Sequence, residues 1–587
     1  FGSSQIPRPC APTRGARWRR ARRRAERGFS GGAMAGGVSA PADNKAGAVF
    51  EGLRDFKHLA RERALEALKV GLASGQFEPD AVETYALAAL EDPTWEARQG
   101  GLNAAAEAIG AWDRPAFREA LLRAAPRLLT DEEYRVRKAV APVLLECCRR
   151  DGLEVFDGLA GAVLGDIRDK FQRQPNAEEE ESVPGLPPAP PTFLPDTEGW
   201  RSLETSMCAL QAMMQGCGEA FTPRIDATLL GLLSECSKHT NRFVREYAYI
   251  AFRNVFEVCS QDAFLAHVST STVDLIAAGI RDNWSQVRYA ASVAARAFFQ
   301  KAGESQERFF PQLLGLMCLN RHYVAEGVRL YSQDTWRIIC GPQGGARLLV
   351  AHFDTVIDAY VAAAEAPNHA VREAACHCIS ELAARVAGTP GRPTPFRYHF
   401  SHDRVKRLMR TLLECFQDES WPVRDVASTA AGQFVTAFPL DCGHHRAELV
   451  SLWFEQLGDN IPSLRQNGAA ALAVAVGAWP ELWDEVLDRL EDGLPSVLRQ
   501  PERSEVFTDY TPSGPFSVPK PKPMSLDEGP DPEFVDQTMY SCGSTAPKTF
   551  RRKQRAQAAG CMNCAVGQPR QLWEASEGMA HLLVELV

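Results

Sequence analysis

The stretch "QDESWPVRDVASTAAGQFV", residues 417–435, joins an acidic turn to an alanine-rich segment that begins with Val-Arg. Within it, Val423, Ala427, Ala430 and Phe434 follow the i, i+4, i+7, i+11 spacing of one helix face. This spacing predicts a helix with one buried face. Because the buried positions are mostly alanine, a neighbouring helix can approach at the short end of the usual interaxial range.

The same layout of acidic or Asn-containing turn, apolar-Arg pair and Ala-rich helix recurs along the chain. Further copies lie at residues 91–110, 130–148, 239–256, 281–299, 366–383 and 458–476. Five intervals between successive marker arginines measure 39, 43, 41, 43 and 41 residues. A period near 41 is typical of two packed helices per repeat. The marker arginines are Arg98, Arg137, Arg201, Arg245, Arg288, Arg329, Arg372, Arg424 and Arg465.

Two longer intervals contain visible insertions. The 64-residue interval before Arg201 contains the acidic, Pro-rich segment 173–195, and the 52-residue interval before Arg424 contains the segment 387–402. Both insertions are therefore interpreted as loops within the repeat array.

The Val-Arg pair that follows an acidic turn, on a period near 41, resembles the HEAT repeat of the armadillo-like superfamily. The resemblance covers roughly residues 50–500 and implies an all-α, right-handed α-solenoid of about ten helical hairpins. It also implies that each marker arginine pairs with a turn carboxylate of the neighbouring repeat, which would form a ladder of structural residues. Independently, an acidic turn residue such as Asp418 is predicted to cap the following helix.

The domain organisation follows from this array. The Arg-rich leader is expected to be disordered, and three interpretations of it stay open: a transit peptide, a nuclear-import or nucleic-acid-binding tail, or untranslated sequence read in frame upstream of Met34. The predicted segments are a leader at 1–45, N-terminal repeats at 46–172, a loop at 173–195, further repeats at 196–500, and an extended, Pro-rich and partly disordered tail with a short terminal helix at 501–587.

Composition restricts the class of protein. The chain is 45% hydrophobic with a net charge of -9, and without a run of about 18 apolar residues we expect a soluble protein with no membrane span. The negative charge argues against general nucleic-acid binding. The sixteen cysteines follow no disulfide framework, which favours a reducing compartment. We therefore expect the cytoplasm, with the nucleus as a further location.

Three tryptophans stand in the turns between paired helices: Trp95, Trp284 and Trp421. Each ring could seal the groove between repeats or face a binding partner, and the sequence leaves both roles open.

The sequence contains few motifs that are typical of catalytic, phosphate-binding or metal sites. The segment "GPQGGAR", residues 341–347, lacks the Lys-Ser/Thr of a phosphate loop and is predicted to be a helix-ending loop. Cys542, Cys561 and Cys564 supply three thiols, whereas structural zinc takes four ligands, so unligated thiols are expected. We expect no catalytic residue and no cofactor.

The function predicted from this repeat array is that of a non-enzymatic scaffold or adaptor that binds other proteins on an extended surface. Two narrower alternatives are a transport receptor that resembles importins and a tubulin-binding HEAT array. A HEAT-like enzyme or enzyme-associated subunit is the alternative from another class. Oligomeric state stays open. The last helix, 571–586, is amphipathic through Trp573, Ala580, Leu583 and Val584 and is suited to dock back on the solenoid.

Overall fold

The computed structural model describes residues 42–172, 200–387, 395–493 and 572–587. Within these ranges the chain contains helices and turns and no strand, which confirms the predicted all-α class. The chain divides into two compact units, Phe1–Ala111 and Trp112–Val587. The leader to residue 41, the loop 173–195 and the tail from 501 to 571 lie outside the described residues.

The first unit contains two helical hairpins. Its helices are α1 (Ala42–Leu53), α2 (His58–Ala73), α3 (Pro79–Ala89) and α4 (Trp95–Ala111). Phe50 of α1 stacks on Tyr85 of α3 with ring centroids 4.4 Å apart. Gly100 of α4 lies so close to the backbone carbonyl of Leu53 that a Cβ there would sit 2.4 Å from the oxygen. A small residue is therefore required where α4 crosses the end of α1.

The second unit is a longer series of hairpins. Its helices are α5 (Pro115–Leu129), α6 (Tyr134–Asp151), α7 (Leu153–Gln172), α8 (Trp200–Cys217), α9 (Ala227–Ser237), α10 (Arg242–Val258), α11 (Ser269–Ile280), α12 (Ser285–Ala302), α13 (Phe310–Asn320), α14 (Glu326–Ala351), α15 (Phe353–Ala364), α16 (His369–Ala387), α17 (His402–Phe416), α18 (Trp421–Ala437), α19 (Arg446–Gln456), α20 (Pro462–Ala478), α21 (Trp483–Gly493) and α22 (Leu572–Leu586). Short helical turns lie at Gly218–Arg224, Gln261–Ala263, Phe264–Val268, Gly303–Phe309, Pro395–His399, Pro439–Cys442, Gly443–His445 and Pro480–Leu482.

Each hairpin consists of a first helix, here called the A helix, and a second, the B helix. The even-numbered helices from α6 to α22 are the B helices, and most of them pack directly on the B helix of the next hairpin. Their shared faces bury small side chains, such as Ala291 and Ala294 of α12 and Ala430 and Ala431 of α18. The hairpins therefore stack as predicted, and the second unit is an α-solenoid of helical hairpins.

The regular packing of B helices is interrupted at α14. This helix kinks at Gly341, whose φ of 67° lies in the region that favours glycine, and then continues to Ala351. Helical geometry therefore stops at Gly341, as the predicted helix-ending loop at 341–347 required, but the break is one residue long and residues 342–347 are helical again. Along its length α14 makes almost no backbone contact with α16, and the A helix α13 packs on α16 instead.

One helical stretch is long and apolar enough to cross a membrane by length and composition. It runs from Gln261 to Ile280, with a mean hydropathy of 1.4 and half of it buried. The sequence prediction overlooked this stretch. Its second half is α11, which packs against α9, α12 and α13 as an ordinary A helix of the stack.

The terminal helix α22 occupies the place of a last B helix. It packs on α20 and contacts α21, although residues 494–571, which separate it from α21, lie outside the described residues. The contact face contains Gly578 and Leu582, and a Cβ on Gly578 would lie 1.9 Å from the carbonyl oxygen of Leu457.

The apolar stripe that the sequence suggested for docking points elsewhere. Leu583 is 43% exposed and Val584 is 73% exposed, and Ala580 and Trp573 are exposed as well. Close approach at Gly578 fixes the rotation of α22, so its most apolar side chains remain on the outside.

Candidate functional site

The marker arginines first bind the turn of their own repeat. Arg372 donates through Nη1 to the carbonyls of Ala366 (3.0 Å) and Pro367 (2.8 Å), six and five residues before it. Arg98, Arg137, Arg245 and Arg424 make the same pair of bonds. These bonds satisfy turn carbonyls that the helix cannot reach.

A tenth member was missed by the sequence interpretation. Arg61 donates to the carbonyls of Asp55 and Phe56 in the first hairpin, with the same six- and five-residue offsets. The signal was available, because Asp55 precedes Arg61 by six residues as Asp92 precedes Arg98.

Several marker arginines also reach a carboxylate in the next repeat. Arg245 binds Asp282 at 2.8 Å, Arg372 binds both oxygens of Asp418 at 2.7 and 2.8 Å, and Arg424 lies 3.6 Å from Asp459. The connection after α21 lies outside the described residues, and Arg465 binds Glu577 of α22 through Nε at 2.7 Å. The terminal helix thus supplies the carboxylate that a next turn would hold.

Asp418 shows how one turn residue serves two repeats. Its carboxylate accepts the bonds from Arg372 and also accepts from the backbone N–H of Ser420 at 2.8 Å. Ser420 is the residue just before α18, so Asp418 organises the turn and does not bond the first N–H groups of the helix. The prediction that Asp418 caps α18 is therefore wrong.

The series of arginine–carboxylate pairs breaks in the middle of the second unit. Arg288, almost fully buried, donates to the side-chain amide oxygen of Asn320 at 2.8 Å, and its guanidinium lies 4.2 Å from the ring centre of Tyr323. Tyr323 takes the place where other turns have Asp. Arg329 follows, and its one described bond is a 3.5 Å contact with the carbonyl of Val324. The next turn offers Ala366 where a carboxylate would be needed.

For the other three predicted ladder members, Arg98, Arg137 and Arg201, no bond to a carboxylate of the next repeat is described. Arg201 lies in α8, but its side chain is outside the described part of the chain. Arg98 and Arg137 have the turn bonds given above, and their role in a ladder stays a prediction.

The three turn tryptophans are all half-buried. The guanidinium of Arg61 lies 4.8 Å from the ring centre of Trp95, and that of Arg242 lies 4.1 Å from Trp284. Trp421 begins α18 without such a cation among the described contacts. Two of the rings therefore pack on the preceding hairpin and still keep an accessible edge.

A cluster on the exposed face of α10, α12 and α14 forms what we call the arginine–tyrosine patch: Arg253, Tyr289, Arg296, Tyr331 and Asp334. Tyr289 and Tyr331 meet edge to face at 5.3 Å, and the Arg296 guanidinium lies 3.7 Å from the centre of the Tyr331 ring. Arg296 also pairs with Asp334 at 3.0 Å. Burial raises the pKa of Tyr331, while Arg296 and Arg253 oppose that rise.

The two arginines of the patch and Arg337 occupy equivalent positions on successive B helices. Arg253, Arg296 and Arg337 each lie eight residues after a marker arginine. Arg337 is exposed, and within the described ranges no carboxylate pairs with it. Beside it on α14, Leu330 is 54% exposed and Ile338 is 49% exposed. This face therefore combines accessible apolar area with three arginines, of which Arg253 and Arg296 are paired with Glu257 and Asp334.

A second polar cluster lies at the gap between α14 and α16. Glu381 accepts from Arg321 at 2.8 Å, from Arg385 at 2.6 Å, and contacts His322 at 3.1 Å. These bonds overcome the effect of burial and hold the pKa of Glu381 well below its usual range. His322 stacks on His377 at 5.6 Å, and burial next to His322 lowers the pKa of His377 to about 4.

Metal and nucleophile chemistry finds little support among the described residues. No group of three or more His, Cys, Asp or Glu side chains within those ranges is arranged to hold a metal ion. Cys542, Cys561 and Cys564 lie outside them. Most described thiols are buried, and burial raises the pKa of Cys147 to about 12, which makes it a poor nucleophile. Cys208 and Cys217 are half-buried, and a hydrogen bond with Cys148 lowers the pKa of Cys217.

Comparison with known proteins gives no family. No protein-family model and no curated protein matches this sequence. Among solved structures, importin beta is 13% identical over 82% of this chain and 56% of that chain, with a TM-score of 0.42. Kap121p bound to Nup53p is 14% identical over 78% of this chain and 48% of that chain, with a TM-score of 0.40. An engineered protein is 14% identical over 74% of this chain, with a TM-score of 0.31.

This chain spans about half the length of importin beta and of Kap121p, 56% and 48%. At TM-scores below 0.5, nothing that those proteins bind carries over to it.

Proposed function

We propose that this chain is a non-enzymatic scaffold that binds a protein segment on the exposed face of α10, α12 and α14. The observation that carries the proposal is the arginine–tyrosine patch together with Leu330 and Ile338. Aromatic and arginine side chains are the residue types most enriched where protein interfaces gain their binding energy.

The charges on this face indicate the class of segment. Arg253 pairs with Glu257 at 2.8 Å and Arg296 pairs with Asp334, but the first pair is well exposed and exposed pairs contribute roughly 0–1 kcal/mol. A carboxylate from a partner can therefore replace Glu257 at little cost, and Arg337 is available to a second one. The segment should accordingly combine acidic and apolar side chains.

The buried thiols and tyrosines support a role without catalysis. Burial in the core raises the pKa values of groups such as Cys147 and Tyr249. A substrate cannot reach these side chains there. The described cysteines are also free thiols, which fits a protein kept in the reducing cytoplasm or nucleus.

The test is a cross-linking capture from native lysate with the full chain, in wild-type and Leu330→Asp forms. Leu440→Asp is the matched control, because Leu440 is 90% exposed on a different helical turn. We expect the same proteins to be retained by the wild type and by the control, and to be lost with Leu330→Asp. Equal retention by all three forms would remove this face from consideration.

Two narrower functions, that of a tubulin-binding array and that of a transport receptor, are tested in the same experiment by adding tubulin or a GTP-loaded transport GTPase. If the turn tryptophans face the partner, Trp284→Ala should reduce retention while leaving the unfolding midpoint nearly unchanged. If Trp284 only packs on Arg242, the substitution lowers the midpoint and leaves retention of the partner unchanged.

A further inference from the structure

Two cysteines from neighbouring repeats lie in contact at the ends of their helices. Cys148 stands three residues before the end of α6, and Cys217 is the last residue of α8. These two B helices pack directly on each other, and a Cβ on Gly216 would lie 2.6 Å from the Cβ of Cys148. This close approach brings the two free thiols into a hydrogen bond, which Cys148 donates to Cys217.

The two thiols differ in exposure and in acidity. Cys148 is 1% exposed, whereas Cys217 is half-buried. The hydrogen bond from Cys148 lowers the pKa of Cys217 and outweighs the opposing effects of burial and of Asp157. The same hydrogen bond, together with burial, raises the pKa of Cys148. An accessible thiol of lowered pKa beside a second, protonated thiol is the arrangement typical of redox-sensing cysteines.

The other described cysteines lack one part of this arrangement. Cys376 of α16 and Cys415 of α17 are also hydrogen-bonded to each other, but they are 0% and 3% exposed, so an oxidant cannot reach either sulfur. Cys208 is half-buried like Cys217, but burial raises its pKa to about 11 and its hydrogen bond is with Tyr247. Within the described ranges, access and a partner thiol therefore coincide at Cys217.

We propose that Cys148 and Cys217 form a peroxide-sensitive redox pair that closes a reversible disulfide between α6 and α8. The Cys217 thiolate attacks one oxygen of hydrogen peroxide, the O–O bond breaks, hydroxide leaves, and Cys217 becomes a sulfenic acid. The Cys148 sulfur then attacks the Cys217 sulfur, the S–O bond breaks, and the departing hydroxide takes up a proton. Two thiols and one peroxide thus give one disulfide and two waters.

The disulfide would fix two neighbouring hairpins to each other. The chain between Cys148 and Cys217 includes the acidic, Pro-rich insertion 173–195. Because a cross-link that closes a long segment restricts the unfolded chain, the oxidised protein should unfold at a temperature several degrees higher. A dithiol reductant would restore both thiols by exchange and become a disulfide itself. Such reversible disulfides are the kind that occurs in a reducing compartment.

The test is peroxide treatment of the full chain, followed by alkylation of the remaining thiols and mass spectrometry of the peptides. We expect a peptide linked through Cys148 and Cys217, in at least tenfold higher yield than one linked through Cys376 and Cys415. The link and the rise in the unfolding midpoint should both disappear after a dithiol reductant is added. Cys208→Ser, at a half-buried position of the same helix, should leave the yield unchanged.

Two variants separate the steps of the reaction. Cys148→Ser keeps a hydrogen-bond donor but cannot form the link, so the sulfenic acid of Cys217 should persist and be trapped by dimedone. Cys217→Ser should abolish both the link and the dimedone adduct. Because Cys217 is half-buried, this substitution should leave the unfolding midpoint of the reduced protein nearly unchanged.

Three outcomes would overturn the proposal. The first is full alkylation of Cys148 and Cys217 at a peroxide concentration that oxidises free glutathione. The second is a link from Cys217 to another cysteine, or a link between Cys376 and Cys415 in equal yield. The third is a dimedone adduct in Cys148→Ser on Cys208 and not on Cys217. None of these results depends on Leu330 or on a bound partner, so the outcome is separate from that of the scaffold test.

Discussion

The marker arginines have different partners in two regions of the second unit, the turns after α15 and the turns around α13. From Arg372 onwards, arginine and carboxylate alternate through Asp418, Arg424, Asp459 and Arg465 to Glu577 of the last helix. Around α13, Arg288 meets a neutral amide and an aromatic ring, and Arg329 meets no carboxylate within the described residues.

This difference coincides with a difference in packing. Where the pairs are continuous, α16, α18 and α20 lie directly against one another. Where they stop, α14 separates from α16, bends at Gly341 and exposes Leu330 and Ile338. Continuous pairing therefore accompanies a closed stack, and the interruption accompanies the face that we propose as a binding surface.

The largest effect is expected from Arg372→Ala. The side chains of Arg372 and Asp418 are 1% and 7% exposed, so the substitution leaves a buried carboxylate without its partner. Removing one partner of a buried pair destabilises by about 3–5 kcal/mol. Urea denaturation followed by circular dichroism measures the change in the free energy of unfolding.

A double-mutant cycle with Asp418→Asn is the control for that prediction. The two substitutions together should cost less than the sum of their separate effects, because the second removes the charge that the first leaves unpaired. Strict additivity would show that the pair does not stabilise the stack.

Arg288→Ala should have the next largest effect. Its partner Asn320 is neutral, so no charge is left buried, and the loss is that of hydrogen bonds and of the Tyr323 contact. We expect a destabilisation of about 1–3 kcal/mol in the same urea experiment. A loss equal to that of Arg372→Ala would mean that a turn carboxylate contributes nothing beyond a neutral acceptor.

The gap between α14 and α16 predicts a pH dependence. The folded pKa of His377 is about 4, below its unfolded value, so between those values the unfolded chain binds the proton more readily. The stabilisation is therefore complete above about pH 6.5 and is lost as pH falls towards 4, by about 1–2 kcal/mol for a partly accessible ring.

The urea midpoint measured from pH 7 to pH 4.5 checks this prediction against His377→Gln, which cannot titrate. The variant should show a flatter profile over that window. Glu381, on the same helix, has a depressed pKa and acts at lower pH, so it does not produce the same slope. Identical profiles for both proteins would exclude His377 as the source.

The smallest effect is expected from Arg329→Ala. With one long contact to a backbone carbonyl, its guanidinium should change the free energy of unfolding by less than about 0.5 kcal/mol, as for a surface substitution. A loss above 1 kcal/mol would show that the arginine series continues through this turn after all.

The sequence was sufficient for the repeat and for most positions of its arginines, because Val423 and its equivalents set a helical period and Arg424 follows at a fixed place. It was insufficient for the interruption. The pattern shows that the copy before Arg329 has Asn320 and no Asp in its turn, but it does not show that Arg288 binds Asn320 and Tyr323 in place of a carboxylate. Gly341 is compatible with either a loop or a kink.

The orientation of α22 could not be read from its pattern either. Periodicity identifies the most apolar face, but the contact at Gly578 and the bond from Arg465 to Glu577 decide which face is buried. The same limit applies to the arginine–tyrosine patch, where five residues from three repeats meet only after the helices stack.

The bond between Arg465 and Glu577 also bears on how the chain folds. In a repeat array nearly every contact joins residues one repeat apart, and such low contact order favours rapid, stepwise folding during synthesis. This bond joins residues 112 positions apart. Closing so long a loop carries an entropic cost that must be met before the contact forms. The contact between α20 and α22 therefore cannot form until the residues up to Glu577 have been synthesised, and until then the face of α20 that packs on α22 is uncovered.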